Sequence, residues 1–318
     1  MSALSAIYGA GVGLRNALYD GGVFRAKRLN GPVVSVGNVS AGGSGKTPLV
    51  LLLGELLKRR GVRFDILSRG YGRRTRGVAL VDAAGSASEF GDEPLLMARR
   101  LGVPVIVGES RYEAGRFAEQ KFGAQLHLLD DGLQHRSLAR DFEIVLLTAE
   151  DLRDRLLPQG RLREPLTSLS RADAVVVSGE VATESLDLKA RVWRMRRGIA
   201  VADVADRPVA FCGIARPQNF FSQLRGAGIE PVAEKAYRDH YAYTKADVHE
   251  LLALQKRVGA AGFVITEKDL VNLGELARNL DRLGVAVVTM ELEDSASAVD
   301  SMLRTVGERR RGGLQELK

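Results

Sequence analysis

Short runs rich in valine and leucine alternate along this chain with longer segments whose apolar residues recur every three or four positions. PVVSVG (32–37), VRFDILS (62–68), VPVIVGE (103–109), LHLLDDG (126–132), DFEIVLLT (141–148) and ADAVVVSG (172–179) are apolar stretches of strand length, as expected for strands covered on both faces. Between them, TPLVLLLGELLKRRG, ending at Gly61, DEPLLMARRLG (92–102) and SRYEAGRFAEQKFG (110–123) have helical spacing. Strands alternating with helices predict an α/β fold with a mostly parallel sheet flanked by helices. Ligands of such sheets gather at the carboxyl ends of the strands. A glycine-rich segment, Ser68–Arg69 and Asp130–Asp131 all stand at such ends.

The alternation breaks at residues 181–207, where WRMRRG alternates like a strand and ADVADRP reads as a connection. The chain therefore divides into a core over 31–180, linker strands over 181–207 and a second, smaller α/β lobe over 208–318. That lobe comprises VAFCGI, a helix from Pro217 to Gly226, EPVAEKAY, a helix from Lys245 to Val258, GFVITEKD, VAVVTMELE and a final helix. The basic tail RTVGERRRGG reads as a fraying end. In residues 1–30, Leu4, Ile7, Gly11, Leu14 and Leu18 share one face of an N-terminal amphipathic helix, and Arg15, Arg25, Lys27 and Arg28 outnumber Asp20. Such a helix either lies on an anionic membrane surface or packs on its own domain. Its basic residues trail the apolar stretch, the reverse of a secretory signal.

Charge adds a direction. The 318 residues carry a net charge of +7, which favours an anionic partner without choosing among phosphate, nucleic acid and membrane. A single cysteine, Cys212, excludes an internal disulfide and suits a reducing compartment. Residues 58–78 hold eight basic residues and one acid, Asp65, but no recognised nucleic-acid motif accompanies them, so no nucleic acid is expected.

The chemistry starts at SVGNVSAGGSGKTPLV. Gly45, Lys46 and Thr47 match the end of the phosphate-loop pattern G-x-x-x-x-G-K-[ST]. Ser40 stands where the first glycine would, and Gly42 and Gly43 supply the flexibility instead. Backbone N–H groups from Ser40, Ala41, Gly42, Gly43, Ser44 and Gly45 would converge on phosphate oxygens, aided by the following helix N-terminus. Lys46 would reach the β- and γ-phosphates, and Thr47 would offer a hydroxyl to Mg²⁺. LHLLDDG supplies the metal-side acids, Asp130 or Asp131. Ala41 replaces the extra lysine of one large ATPase class, and TEKD (266–269) has its lysine one place late for guanine recognition, so ATP is expected. A P-loop ATPase switch that releases phosphate to water remains the alternative. Arg69 and Tyr71 stand where a phosphate-bearing acceptor could dock. Asp92, in GDEP, is placed either as a helix cap or as a base for a hydroxyl proton. His240 lies in the polar, aromatic loop YRDHYAYT.

GNVSAGGSGKTP, SRGYGRR, GDEP, LDDGLQHR, DRLLPQGRLREPL, RDHYAYT and TEKD follow one another in this order. Together they resemble the tetraacyldisaccharide 4′-kinase family, the lipid A 4′-kinases, over residues 30 to 275. The family's loop also begins with Ser or Thr, so Ser40 fits it. The resemblance implies transfer of the γ-phosphoryl of ATP to the 4′-hydroxyl of an acylated glucosamine disaccharide 1-phosphate lipid. It also implies Mg²⁺, two lobes with the site between them, and attachment to the cytoplasmic face of the inner membrane. Carried over by motif, Asp92 is the base and His240 its partner from the other lobe. Lys46, Thr47, Asp130 and Asp131 keep the roles above, and Glu164, Gln134 and His135 become nucleotide or metal contacts. Arg69, Tyr71 and Arg111 become acceptor contacts. A membrane-anchored substrate also favours the interfacial role for the N-terminal helix.

Overall fold

The computed structural model describes residues 3–178, 181 and 188–315; of the expected linker, residues 182–187 lie outside the described residues. Strands β1 (Val33–Asn38), β2 (Phe64–Ser68), β3 (Ala79–Leu80), β4 (Val105–Val107), β5 (Leu126–Asp130), β6 (Phe142–Leu147) and β7 (Ala174–Ser178) belong to the first lobe. Strand β8 (Arg191–Ala202) connects it to β9 (Val209–Cys212), β10 (Ala233–Ala236), β11 (Phe263–Thr266) and β12 (Leu283–Leu292). All twelve form one sheet in the order β10-β9-β11-β12-β8-β7-β6-β1-β5-β2-β4-β3. Every pairing is parallel except β3 with β4 and β8 with β12. The linker region thus contains one long strand that both lobes share. Its first residues, Arg191 to Met195, pair parallel with β7, and Met195 to Ala202 pair antiparallel with β12.

Nine helices cover the sheet among the described residues: α1 (Ala3–Asp20), α2 (Lys46–Arg59), α3 (Ala87–Phe90), α4 (Asp92–Leu101), α5 (Arg111–Phe122), α6 (Pro217–Gly226), α7 (Lys245–Val258), α8 (Glu267–Leu273) and α9 (Ser295–Gln315). The central strands β1, β2, β5 and β6 are buried throughout, which accounts for their mostly apolar runs; the polar side chains within them pair across the sheet, Ser35 with Glu143 and Asp65 with His127. Leu49, Leu53 and Leu57 of α2 pack on Val34, Ile66 and Ile144. The second lobe has its own core around Phe211, Phe263, Leu251 and Tyr243.

Helix α9 corrects the expected fraying end. Val299, Met302 and Val306 join the core of the first lobe. Arg309 then bonds Asp173 at 2.6 Å, and Arg310 bonds Asp141 at 2.7 Å. The basic residues of the tail are ion-pair partners for acids near the starts of β6 and β7.

Helix α1 docks through a face other than its apolar one. Ser5 and Val12 are buried; Ser5 Oγ donates to Leu156 O and Tyr8 Oη to Arg163 O. Leu4, Ile7 and Leu14 remain 66%, 70% and 63% exposed. The segment beneath α1 also backs the glycine loop: Ala41 N donates to Arg161 O and Arg163 N to Val39 O.

The acids holding α9 differ in worth. Asp141, with its side chain 1% exposed, accepts from Arg28, Arg310 and Val33 N, so Asp141→Ala should lower the unfolding free energy by about 2–4 kcal/mol. Asp300 meets Arg60 at an exposed site, and Asp300→Ala should cost roughly 0.5 kcal/mol or less. Urea denaturation of the two variants would measure both; equal losses would contradict the assignment of Asp141 as the buried anchor.

Candidate functional site

The buried strand β1 ends in a loop whose backbone turns three times into the left-handed region, at Gly42, Gly43 and Gly45 (φ 69°, 62° and 99°). A side chain at these positions would be strained, and the turns bring residues 41–47 to the wall of a cleft of about 570 Å³ between the lobes. Lys46 Nζ lies 2.8 Å from Asn38 Oδ1 and 3.4 Å from Asp131 Oδ1. Arg163 grips Asp131 with two bonds of 3.0 and 2.8 Å and also reaches Asn38 Oδ1. Burial would raise the Asp131 carboxyl, but Lys46 and Arg163 hold it below the usual carboxylate range. Its neighbour Asp130 goes the other way. Burial raises it, with the negative charges of Glu93 and Asp131 adding, while Ser68 Oγ at 2.9 Å opposes. Asp130 Oδ1 is buried without a hydrogen-bond partner, an acceptor suited to a cation.

At the start of α4, whose Glu93 and Leu96 line the same cleft, Gly91 (φ 88°) lets the helix press against the Gly70–Tyr71 backbone; a Cβ there would stand 2.9 Å from Tyr71 O. Asp92 follows, 4% exposed. Its two oxygens lie 3.0 and 2.9 Å from His240 Nδ1, and Asn272 Nδ2 donates to Oδ2 at 3.0 Å. Asp92 Oδ1 also accepts from Glu93 N within the first turn of α4, so the carboxylate serves the helix start and the cleft together. His240 (φ 56°) comes from the second lobe, and its ring lies 5.0 Å from that of Tyr71.

Lys268, in the first turn of α8, completes the group. Its Nζ is 3.3 Å from His240 Nε2, 2.9 Å from Asp239 and 3.8 Å from Asp92. An ammonium only donates. Nε2 is therefore the acceptor, and the proton of a neutral His240 sits on Nδ1, donated to Asp92. Burial would raise the Asp92 carboxyl, yet the His240 hydrogen bond and the Lys268 charge keep it below its ordinary value. Burial would lower His240, but the bond to Asp92 raises it overall. Asp269 fastens this corner by accepting from Gly213 N at 2.7 Å and Tyr243 Oη at 2.8 Å.

Of the other expected site residues, Arg69 and Tyr71 line the cleft. Ser40 is fully buried behind it, bonded to Asn38 Nδ2. Gln134 Nε2 donates to Asn38 O. His135 pairs with Ser137 Oγ; burial and the charges of Arg111, Arg140 and Arg69 hold it at about 4. Arg111 is buried, donating to Gly108 O and Glu109 O. Glu164 requires a correction. It is fully buried, and its oxygens accept from Arg15, Asn16, Ser168 and Arg171. Four donors draw this carboxylate to the base of α1, apart from the cleft residues. Asn38, Arg163, Lys268 and Asn272 are site residues that sequence reasoning missed. Arg163 and Lys268 lie inside the LREP and TEKD blocks, and Asn272 is one helical turn beyond Lys268.

The profile of the tetraacyldisaccharide-1-P 4′-kinase family matches residues 1–307. A tetraacyldisaccharide 4′-kinase of Koribacter versatilis is 50% identical over 98% of this chain and 100% of its own length. That of Geobacter metallireducens is 37% identical over 95% and 97%. A crystal structure of LpxK from Aquifex aeolicus in complex with ATP superposes with a TM-score of 0.78 at 34% identity, over 95% of this chain and 97% of that one. With its glycine loop, paired acids and inter-lobe cleft, the chain belongs to the tetraacyldisaccharide 4′-kinase family.

Proposed function

We propose that the family's reaction, phosphorylation of a tetraacyldisaccharide 1-phosphate at its 4′ position, runs in this chain between the glycine loop and Asp92. The observation that carries this assignment is the Asp92–His240 contact between the lobes, whose histidine lines the same cleft as the loop. ATP lies on the N–H groups of residues 41–47, and Lys46 leaves Asn38 and Asp131 to contact its phosphates. The orphaned oxygen of Asp130, the Asp131 carboxylate and the Thr47 hydroxyl would hold Mg²⁺ together with phosphate oxygens, as hard oxygen ligands suit that ion. Bound there, Mg²⁺ neutralises charge on the phosphates. Asp92 accepts the proton of the attacking 4′-hydroxyl. His240 donates to it and fixes its orientation, and Lys268 keeps it ionised before the hydroxyl arrives. Arg69 and Tyr71, on the cleft wall, contact the acceptor. Arg111, expected as an acceptor contact, is instead buried and holds the Gly108–Glu109 backbone beside them.

The acceptor is a lipid, and α1 offers the means to reach it. Leu4, Ile7 and Leu14, with Val23 and Phe24 beyond, form an exposed apolar face. No helix among the described residues is long and apolar enough to cross a membrane. We assign this face to peripheral binding at an anionic surface, the cytoplasmic face of the inner membrane, where the net charge of +7 adds attraction.

In a transfer assay with γ-labelled ATP and the detergent-solubilised disaccharide 1-phosphate, Asp92→Asn and His240→Ala should each lower turnover by about 10²- to 10⁴-fold with the fold intact. Normal turnover by either would remove its assigned role. Lys268→Met tests the electrostatics. Lys268 favours proton release from both Asp92 and His240, so without it both hold protons more tightly. The acid limb of the turnover–pH profile should then move to higher pH, and Lys268→Arg should restore it. An unmoved limb would rule out this role. Replacing Leu4, Ile7 and Leu14 together with serine should weaken sedimentation with anionic vesicles by roughly tenfold or more, while turnover on detergent-dispersed substrate persists.

A further inference from the structure

Two arginines, one on the shared strand β8 and one in the second lobe, stand against the phosphate loop. Arg216, at the start of α6, lies along Gly43: a Cβ on that glycine would be 3.0 Å from Arg216 Cγ and 3.3 Å from Nε. Arg197, on β8, covers Gly45, where a Cβ would be 3.1 Å from its Cζ and Nη1. Neither has a partner that explains this placement. Arg197 makes one long hydrogen bond, 3.4 Å from Nη1 to Ser44 O, and among the described residues no ion pair involves it. Arg216 meets the half-exposed Glu150 at 3.4 Å through Nη1, while its Nε and Nη2 are buried without hydrogen-bond partners. Loss of solvent in the cleft and the like charge of Arg216 both weaken Arg197's hold on its proton. Two neighbouring guanidiniums with unused donors, set against a loop of converging N–H groups, call for a multivalent anion between them.

The geometry points to Arg197 and Arg216 as a two-arginine clamp, supplied by the shared strand β8 and by the second lobe, that closes on the phosphate chain of the nucleotide held by the glycine loop. The assignment rests on the kinase reading above and adds to it two phosphate-binding groups outside the loop, its lysine and the metal-side acids. Cations brought to the phosphates from a second structural unit stabilise the charge that spreads over them during transfer. Here the carriers are β8 and the turn before α6, so the clamp forms only when both lobes face the nucleotide.

The test is binding of fluorescent ATP, ADP and AMP analogues to the full chain without lipid, for the wild type, Arg197→Gln, Arg216→Gln and the two Lys variants. Glu150→Gln is the control for the Arg216 ion pair, and the thermal midpoint of each nucleotide-free variant reports its fold. Each Gln variant should bind ATP about 10- to 100-fold more weakly, as expected for a lost charge-assisted contact. AMP affinity should hold, the Lys variants should recover part of the loss, and Glu150→Gln should bind like wild type. If a Gln variant fails to fold, the corresponding Lys variant, which keeps the charge, must still show a partial loss for ATP and none for AMP. Wild-type ATP affinity in folded Gln variants, equal losses for ATP and AMP, or a Glu150→Gln variant that reproduces the Arg216→Gln loss would each overturn the clamp and leave the kinase reading standing. A wild type that binds none of the nucleotides would overturn both.

Discussion

The hydrogen bond between Asp92 and His240 joins residues 148 positions apart and two separate hydrophobic cores. Holding a carboxylate and an imidazole at 2.9 Å in a site that is 4% exposed on the acid side demands much of the surrounding structure. Gly91 gives α4 its tight approach to the Tyr71 backbone. Asp269 ties the end of β9 to α8 and Tyr243, setting the turn that carries His240. His240 itself takes a left-handed backbone, a conformation that non-glycine residues adopt at some cost and that concentrates at functional sites. Lys268 and Asn272 then occupy the remaining faces of the pair. A buried acid–base contact of this kind persists because each polar atom has a partner.

Around the glycine loop the balance of charge differs. Asp131 holds two cations, Lys46 and Arg163, and Asn38 shares both of them. Arg69, Arg197 and Arg216 bring the local excess of positive charge higher still. Cations thus gather around the loop, where negative charge develops during phosphoryl transfer, while Asp92 is held apart from them among His240, Asn272 and Lys268.

Much of this was legible in the chain itself. Mostly apolar runs without polar alternation located β1, β5, β6 and β7, because strands buried on both faces have no solvent side to fill with polar residues. Pro217 and Gly226 marked both ends of α6, and Lys245 and Val258 those of α7. The short elements β3, α3 and α8 were not legible, since two to seven residues carry too little periodicity. At the site, the glycine loop and its acids follow from local motifs. Glu164 did not, because the donors that claim it come partly from α1, about 150 positions earlier. Lys268 was visible only inside the tetrapeptide TEKD, as a poor match to a guanine-reading motif and as one block of the family pattern, with no role attached; its neighbours Asp92 and His240 come from elsewhere in the chain. The tail looked frayed because its arginines find their acids, Asp141 and Asp173, only in three dimensions.

Strand β8 has a mechanical consequence. At Met195 it is hydrogen-bonded to β7 on one side and to β12 on the other, so the two halves of the molecule share one continuous sheet. Relative displacement of the lobes must therefore be absorbed as twist and bend of that sheet, with ladder hydrogen bonds resisting it. Any opening of the cleft would load the sheet as bending loads a leaf spring, with the ladder of β8 supplying the restoring force.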